Sequence, residues 1–461
     1  MTDAEWRSRV RWVVAHPHRP AVLMVERAGR LALPETGLGD EVWTADATAT
    51  LPALRELVGV DAVLLRCLRE REDPSRRVRQ AILVATPREM APPPPGMRWL
   101  GREDLAGAAL QDDEQAAAAA GVLDELAAGP GRVPWAVPGW FQDAERWLRD
   151  SLDALGRAVT GPVQQLRAWE LSCILRAPTA HGDVYLKAVP DSPLFVNEPV
   201  VTGALAALFP DHVPAPLAVD AERRWLALAD FGAELEWDTP DAVREDVLRI
   251  FARLQVEAAS QVDRLLAAGC PDRRLPWLAG QAERWLPAIE ETGRLPGIDA
   301  ATWLTNDELA ELRAAVPHLT AICAELATYA IPPSLVHGDL HLGNVARGPR
   351  GYVFFDWTDA SVAHPFLDLL TFFQEDEAEV EGPLRDRLRD AYLSEWTAFE
   401  PPERLRRAWR LAEPLGALDQ AISYRSIVAD LQPVERHTAQ SPAYWLRKVL
   451  AGLRQVGRVH R

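Results

Sequence analysis

Lysine is nearly absent from this chain of 461 residues: of 50 Lys plus Arg, only Lys187 and Lys448 are lysine. Arginine serves almost everywhere a cation is needed, so a retained lysine marks a place where a compact ammonium does what a planar guanidinium does differently. Cysteine is also scarce. The 4 present, Cys67, Cys173, Cys270 and Cys323, lack the close pairs of a zinc or redox motif and are expected to be reduced thiols. Positive charge is short overall, and a net charge of −17 argues against a nucleic-acid partner, whose phosphates demand basic patches. No run reaches the roughly 18 apolar residues of a membrane-crossing helix, so no membrane partner is expected. The opening Met-Thr-Asp-Ala-Glu-Trp has neither the basic start nor the apolar stretch of a secretory signal, and the expected location is the cytoplasm. Low-complexity sequence is limited to one alanine run. With 48% apolar residues, the chain is long enough for two or three domains with sizeable cores.

What is present is concentrated in residues 337 to 344, His-Gly-Asp-Leu-His-Leu-Gly-Asn, followed by Asp356 at the end of the apolar run Tyr-Val-Phe-Phe-Asp. An acid, an amide five residues later and a second acid at a strand end are the parts of a phosphoryl-transfer site. Asp339 is the candidate to accept the proton, or a hydrogen bond, from an attacking hydroxyl. Asn344 and Asp356 are hard oxygen ligands suited to Mg2+. A metal cluster of His337, Asp339 and His341 would need further ligands nearby, and Asp356 alone is a thin supply. Lys187 lies in Asp-Val-Tyr-Leu-Lys-Ala-Val, an alternating strand pattern, and is the candidate to reach nucleotide phosphates. Glu198 opens a helix-like run with Pro199 in its first turn, and is the expected ion-pair partner of Lys187. Lys448 reads as surface.

These motifs, spanning roughly residues 160 to 450, resemble the aminoglycoside phosphotransferase and choline kinase family of small-molecule kinases, whose loop reads His-Gly-Asp with an Asn five residues after the Asp. Gly338 stands where protein kinases carry Arg, so a phosphorylated activation loop has no obvious partner here. The resemblance implies an α+β, bilobal, protein-kinase-like fold, with a small β-rich lobe and a large mostly helical lobe. It also implies ATP, or another nucleoside triphosphate, with Mg2+ as cofactors and a small-molecule hydroxyl acceptor. The apolar run from Trp225 to Gly232, which breaks at its glycine, becomes the hinge, with the adenine edge near Leu228 to Asp230; the Asp-Phe-Gly at 230 to 232 precedes the catalytic loop and is not the protein-kinase metal motif. Asp368 is implied to tie down the catalytic loop from a helix beneath it, and His337 is either a packed, hydrogen-bonded imidazole or a catalyst. Asp359 and His364 either face the acceptor or cap the helix that follows. Gly161 to Leu166 and Ser172 to Ala177 read as short strands, and the loop between them has no glycine to let amides approach phosphate. Ser172 is then either a hydrogen-bond donor to phosphate or an exposed turn serine.

Upstream, residues 1–127 read as a small α+β domain. Strand-like runs cover Val10 to Ala15, Ala21 to Val25, Ala62 to Leu68 and Val78 to Ala85, with an alanine-rich helix from about Asp112 to Ala127. The segment resembles a Nudix-type domain in Val-Leu-Met-Val-Glu-Arg-Ala-Gly-Arg-Leu-Ala-Leu-Pro. Of the Nudix glutamate box only Arg55-Glu56 survives, which implies a catalytically silent domain. Residues 128–159 read as a linker and an amphipathic helix from Trp140, 160–235 as the small lobe and 236–461 as the helical lobe. Its expected helices are Arg244 to Ala268, Leu278 to Glu291, Asn306 to Tyr329, Gly382 to Phe399, Glu403 to Val428 and Pro442 to Val456. Acceptor choice falls to these helices and to the acidic run with Glu375, Asp376 and Glu377, which is either a cradle for a protonated amine or a solvated loop. The expected function is transfer of the γ-phosphate to a hydroxyl of a small molecule such as an aminoglycoside or amino sugar. The alternative is a catalytically silent nucleotide-binding regulatory pseudokinase.

Overall fold

Alternation of side chains builds the first strand, β1 (Arg7–Val14), whose Val10 and Trp12 are buried while Arg7 and Arg9 face water. The structure, a computed structural model, describes residues 7–39, 42–73, 77–90, 92–128, 133–193, 195–295, 298–375, 378–430 and 440–459. The chain divides into one compact unit of Met1–Asp191, Glu222–Asp230 and Gln432–Glu435, and another of Ser192–Ala221, Phe231–Leu431 and Arg436–Arg461.

In the first unit the elements run β1, β2 (Val22–Arg27), β3 (Arg30–Ala32), β4 (Glu35–Leu38), α1 (Ala47–Val58), β5 (Ala62–Asp73), β6 (Val78–Pro87), β7 (Met97–Leu100), α2 (Arg102–Ala106), α3 (Asp113–Ala128) and α4 (Trp140–Ala154). A mixed sheet is ordered β4-β1-β6-β5, with β1 parallel to β6 and the other pairs antiparallel. A second sheet, β3-β2-β7, is antiparallel. Helix α1 has no counterpart in the sequence reading, because Pro52 lies inside it and proline normally ends a helix. Its ends are nonetheless well signalled: the Asp46 carboxylate accepts from the amides of Thr48 and Ala49, and Gly59 closes it with a left-handed φ of 74°. Such caps are common devices at helix ends.

The same unit contains β8 (Gln164–Ala168), β9 (Cys173–Thr179) and β10 (Gly182–Ala188), antiparallel to one another and, through β10, to the strand Trp225–Ala229. The segment before them is packed. Trp135 is 1% exposed and Trp140 8%, and Trp140 and Trp147 both set ring edges against Trp225, at 5.7 and 5.6 Å between centroids.

The second unit is mostly helical: α5 (Glu198–Leu208), α6 (Asp241–Ala258), α7 (Val262–Ala267), α8 (Leu275–Thr292), α9 (Asn306–Leu326), α10 (Gly382–Leu393), α11 (Pro402–Asp430) and α12 (Ser441–Val459). Two expected helices are interrupted within their patterns. The run Arg244 to Ala268 is broken by a tight turn at Ala259–Gln261, where the Ser260 hydroxyl bonds back to the Glu257 carbonyl at 3.0 Å and competes with the backbone ladder. The run Gly382 to Phe399 changes to a 3-10 turn at Ser394–Trp396. Among the described residues no helix is long and apolar enough to cross a membrane.

At the centre of this unit the 3-10 turn Pro365–Leu370 buries Phe366 among Tyr392, Trp396 and Trp409, with ring centroids at 5.7, 5.6 and 6.2 Å. Trp396 is 0% and Trp409 3% exposed, so these aromatics are core. Phe366→Ala should therefore destabilise the protein by about 3–5 kcal/mol, the usual cost of emptying a buried aromatic site. The measurement is the urea midpoint, and a shift equivalent to less than about 1 kcal/mol would contradict the packing described.

Candidate active site

The loop of residues 337–344 hangs between two small antiparallel ladders. Strand Ser334–Val336 pairs with Ser361–Ala363 before it, and Val345–Gly348 pairs with Gly351–Phe354 after it. The first ladder leads into His337 and the second ends just before Asp356, so two short-range pairings bring residues 17 positions apart in sequence toward one region. The Phe355 amide donates to the Asn344 carbonyl at 3.1 Å, which ties the two together. Gly338 adopts φ +85°, and a Cβ there would meet the Asp359 carbonyl oxygen at 2.5 Å. A side chain at 338 is excluded on both counts.

Beneath the loop lies Asp368, 1% exposed. Its Oδ2 accepts from the His337 amide at 2.7 Å and its Oδ1 from the Gly338 amide at 2.8 Å. The implied tie therefore exists, carried by a 3-10 turn where a helix was expected. Burial lifts the Asp368 pKa to about 7, against the pull of those two amides and with some help from the charges of Asp419 and Asp339. Gln255, from α6, donates to Asp368 Oδ2 at 3.2 Å and to the Leu335 carbonyl at 2.9 Å, and its own carbonyl accepts from the Tyr392 hydroxyl. Gln420, from α11, donates to the Gly338 carbonyl, and the Thr371 hydroxyl donates to the Leu340 carbonyl at 2.8 Å. His337 is 0% exposed, with Nε2 at 2.9 Å from the Phe355 carbonyl and Nδ1 accepting from the Asp339 amide at 3.4 Å. That pattern fits the neutral Nε2–H tautomer. Burial lowers its pKa to about 4, so His337 is a packed imidazole.

Above the loop, the Asp339 side chain is 41% exposed. Asn344, only 6% exposed, donates Nδ2 to the Asp339 carbonyl at 2.8 Å, with Asp339 Oδ2 at 3.4 Å. This fixes the amide so that its oxygen is the atom a cation would meet. Asp356 sits at φ 63°, ψ 60°, a left-handed conformation uncommon outside glycine and frequent at functional sites. The Thr358 hydroxyl lies 2.8 Å from Asp356 Oδ1 and 3.1 Å from Glu198 Oε2. One proton serves two carboxylates there, and Glu198 is 2% exposed. Among the described residues no three His, Cys, Asp or Glu side chains gather as a metal cluster. The available donor set is one carboxylate and one amide oxygen, which fits a magnesium ion that keeps waters and takes its remaining ligands from phosphate.

His341 Nε2 is 3.6 Å from Asp339 Oδ2. Burial pulls the His341 pKa down, but the hydrogen bond and charge of Asp339 carry it above its ordinary value. The ring of Trp237, 40% exposed, stacks on His341 at 5.7 Å and 21°. Burial, with the charges of Asp339 and Asp359 adding to it, raises the Tyr424 pKa. Asp359 is half-buried and its backbone packs on Gly338. His364 instead caps the following turn, accepting from the Phe366 amide at 3.2 Å.

Trp237, Thr358, Gln255 and Gln420 were not legible as site residues, since none sits in a motif. Trp396 and Trp445, at 0% and 4% exposure, are core. In the acidic run, Asp376 and Glu377 lie outside the described residues and Glu375 is described in its backbone only. The nearby Glu379 is paired with Lys448 and accepts from the Tyr444 hydroxyl at 2.8 Å.

The remaining candidates belong to the first unit. Lys187 is half-buried on β10, opposite Ile174 of β9 and Leu226 of the neighbouring strand. Leu228 pairs with Tyr185, and the Asp230 amide is already given to the Asp183 carbonyl at 3.1 Å. Ser172 is 5% exposed, so it is no exposed turn serine; its hydroxyl oxygen accepts from Trp169 Nε1 at 2.9 Å. Gly232, at φ 130°, is pressed against the Arg347 carbonyl, where a Cβ would come to 2.3 Å. The glycine of Asp-Phe-Gly is thus there for close packing.

Residues 179–404 match the model of the phosphotransferase enzyme family. No curated protein matches the chain in sequence. Among solved structures, a choline/ethanolamine kinase family protein from Mesorhizobium loti aligns with a TM-score of 0.49 at 15% identity, covering 69% of this chain and 97% of its own. A choline kinase from Cryptosporidium parvum aligns at 0.48 and 11% identity, covering 70% and 94%. A macrolide 2′-phosphotransferase from Brachybacterium faecium aligns at 0.41 and 15% identity, covering 66% and 98%.

Replacing Asp368 by Asn would set an amide donor against a backbone donor beneath the loop. Asp368→Asn should cost about 1–3 kcal/mol, the range for an unsatisfied buried group, and should speed hydrogen exchange at the His337 and Gly338 amides. Unchanged protection at those two amides would remove Asp368 as the anchor.

Proposed function

We propose that this chain, whose residues 179–404 match the model of the phosphotransferase enzyme family, transfers the γ-phosphate of ATP, or of another nucleoside triphosphate, to a hydroxyl of a small cationic molecule. The observation that carries the reading is the contrast at Asp339, whose carboxylate is 41% exposed while the loop bearing it is held from beneath by Asp368. An accessible acid on a fixed loop is suited to orienting a hydroxyl in line with a phosphoryl group. As the new O–P bond forms, the hydroxyl proton passes to Asp339 and the nucleoside diphosphate leaves.

Asn344 and Asp356 are the residues that would hold magnesium, which when bound would neutralise the charge growing on the phosphate oxygens. Thr358 steadies Asp356 through the hydroxyl it also presents to Glu198. In this reading Lys187 meets the nucleotide phosphates with Glu198 as its ion-pair partner, Ser172 adds a hydroxyl to the phosphate grip, and the backbone at Leu228 and the Asp230 carbonyl read the base.

For the acceptor, the open Trp237 ring, the Tyr424 phenol and the carboxylates of Asp339 and Asp359 together favour a protonated amine beside the reacting hydroxyl. An amino sugar or an aminoglycoside combines both features. The alternative of a silent nucleotide binder has no observation of its own in its favour.

The test is phosphate transfer from ATP across hydroxylated amines, amino sugars and aminoglycosides, with neutral alcohols as controls. Asp339→Ala should lower turnover by at least about a hundredfold, the lower end for a positioned acid or base, with nucleotide binding retained. Trp237→Ala should raise KM for the acceptor and leave KM for ATP alone. Wild-type turnover in Asp339→Ala would end the catalytic assignment, and a best acceptor without a cationic group would end the acceptor assignment.

A further inference from the structure

The turn between β8 and β9, residues 169–172, reads Trp-Glu-Leu-Ser. In the phosphotransferase reading this turn covers the nucleotide phosphates, a job usually given to glycines whose backbone adapts to the ligand. Here the backbone is committed before any ligand arrives. The Trp169 amide donates to the Ser172 carbonyl at 3.1 Å, and the Trp169 indole donates to the Ser172 hydroxyl at 2.9 Å. Those bonds close the turn on itself.

The other restraints come from the N-terminal part of the same compact unit. The Trp135 indole donates to the Trp169 carbonyl at 2.8 Å. The Ala168 amide donates to the Ala45 carbonyl at 3.0 Å, and Asp46 and Arg167 form an antiparallel bridge. β8 ends its sheet, so this bridge covers an otherwise open strand edge. The Trp43 ring meets the Trp169 ring edge to face at 5.5 Å and 72°, with the Arg167 guanidinium 5.2 Å from the Trp43 centroid. Further down β8, the buried Gln165 amide exchanges two hydrogen bonds with the backbone of Leu64 in β5, both 2.8 Å. The 43–46 segment, β5 and the Trp135 turn thus all grip β8 or its turn.

We propose that the N-terminal segment is a brace for the nucleotide-covering turn, with Trp43 and Trp135 as positioning residues that replace glycine's adaptability by preorganisation. A turn held in one shape has little ordering left to lose when phosphate binds. Neither residue touches the reacting atoms; each acts through Trp169. The N-terminal segment then belongs to the nucleotide site and sets its affinity. The inference rests on the phosphotransferase reading for the turn's purpose, and the grip itself is measured without turnover.

The experiment uses the full chain with Trp135→Phe, which keeps a buried ring and loses one N–H, and Trp43→Ala, with Trp43→Phe as the conservative rescue. Three quantities are read: hydrogen exchange across residues 168–172, equilibrium binding of magnesium ATP, and KM for ATP and for the acceptor. Trp135→Phe and Trp43→Ala should speed exchange in the turn and weaken ATP binding and raise its KM by up to about tenfold, since the lost Trp135 hydrogen bond and the lost Trp43 ring contact are each worth about 1 kcal/mol or a little more. Acceptor KM should hold, and Trp43→Phe should restore most of the protection and affinity. Unchanged exchange in the turn would overturn the brace, as would faster exchange with unaltered ATP binding, or ATP and acceptor KM rising together. A wild-type protein that binds ATP but phosphorylates none of the acceptors defeats the proposed activity and leaves the exchange and binding results to decide the brace.

Discussion

The Asp368 carboxylate, buried under the loop, receives the His337 and Gly338 amides on its two oxygens, and the rest of the site hangs from that contact. Gly338 turns with φ +85°, which aims consecutive amides downward and leaves the Asp339 side chain on the opposite, open side. A carboxylate in a buried place normally costs stability unless its acceptor capacity is filled. Here the filling is done by the loop's own backbone and by Gln255, so the group that most needs partners and the segment that most needs holding satisfy each other. The aromatic cluster around Phe366 fixes the 3-10 turn carrying Asp368, which links core packing to the position of the loop.

The two kinds of rigidity in the molecule differ in origin. Around Asp339 it depends on glycine: Gly338 permits a conformation and a contact with Asp359 that no other residue fits, and Gly232 does the same against Arg347. Around the β8–β9 turn there is no glycine, and large side chains from distant segments hold the backbone in place. Lysine usage shows a similar contrast. Where arginine serves, it is mostly in surface pairs such as Arg454 with Glu311 and Arg253 with Glu395, each worth little to stability. Lys187 lies instead inside a sheet, between β9 and the strand Trp225–Ala229.

Much of the architecture was legible because its signals are local. Period-two alternation marked β10, short strand-like runs marked β1 and β9, and Pro199 marked the start of α5. Errors fell where a local signal was overruled. Pro52 hid α1 although its Asp46 and Gly59 caps were in plain view, and the tight turn at Ala259–Gln261 cut a helical pattern that periodicity alone would have continued. Of the two roles open to Ser172, the exposed turn residue is excluded, because it is buried and the indole three positions earlier donates to its hydroxyl.

By itself the sequence determined the chemistry on offer: an acid, an amide and a second acid at the offsets of a phosphoryl-transfer loop, on residues close enough in the chain that two short strand pairings suffice to bring them near one another. Only the tertiary structure decided what holds and surrounds that chemistry. Gln255 and Gln420 reach the loop from helices about 80 residues away on either side, Trp237 stacks on His341 from more than 100 residues upstream, and Trp43 meets Trp169 from more than 100 residues upstream. Contacts at such separations have no period or spacing to announce them. They arise from how helices and sheets pack, which is set by the summed burial of many side chains and not by the residues that end up touching.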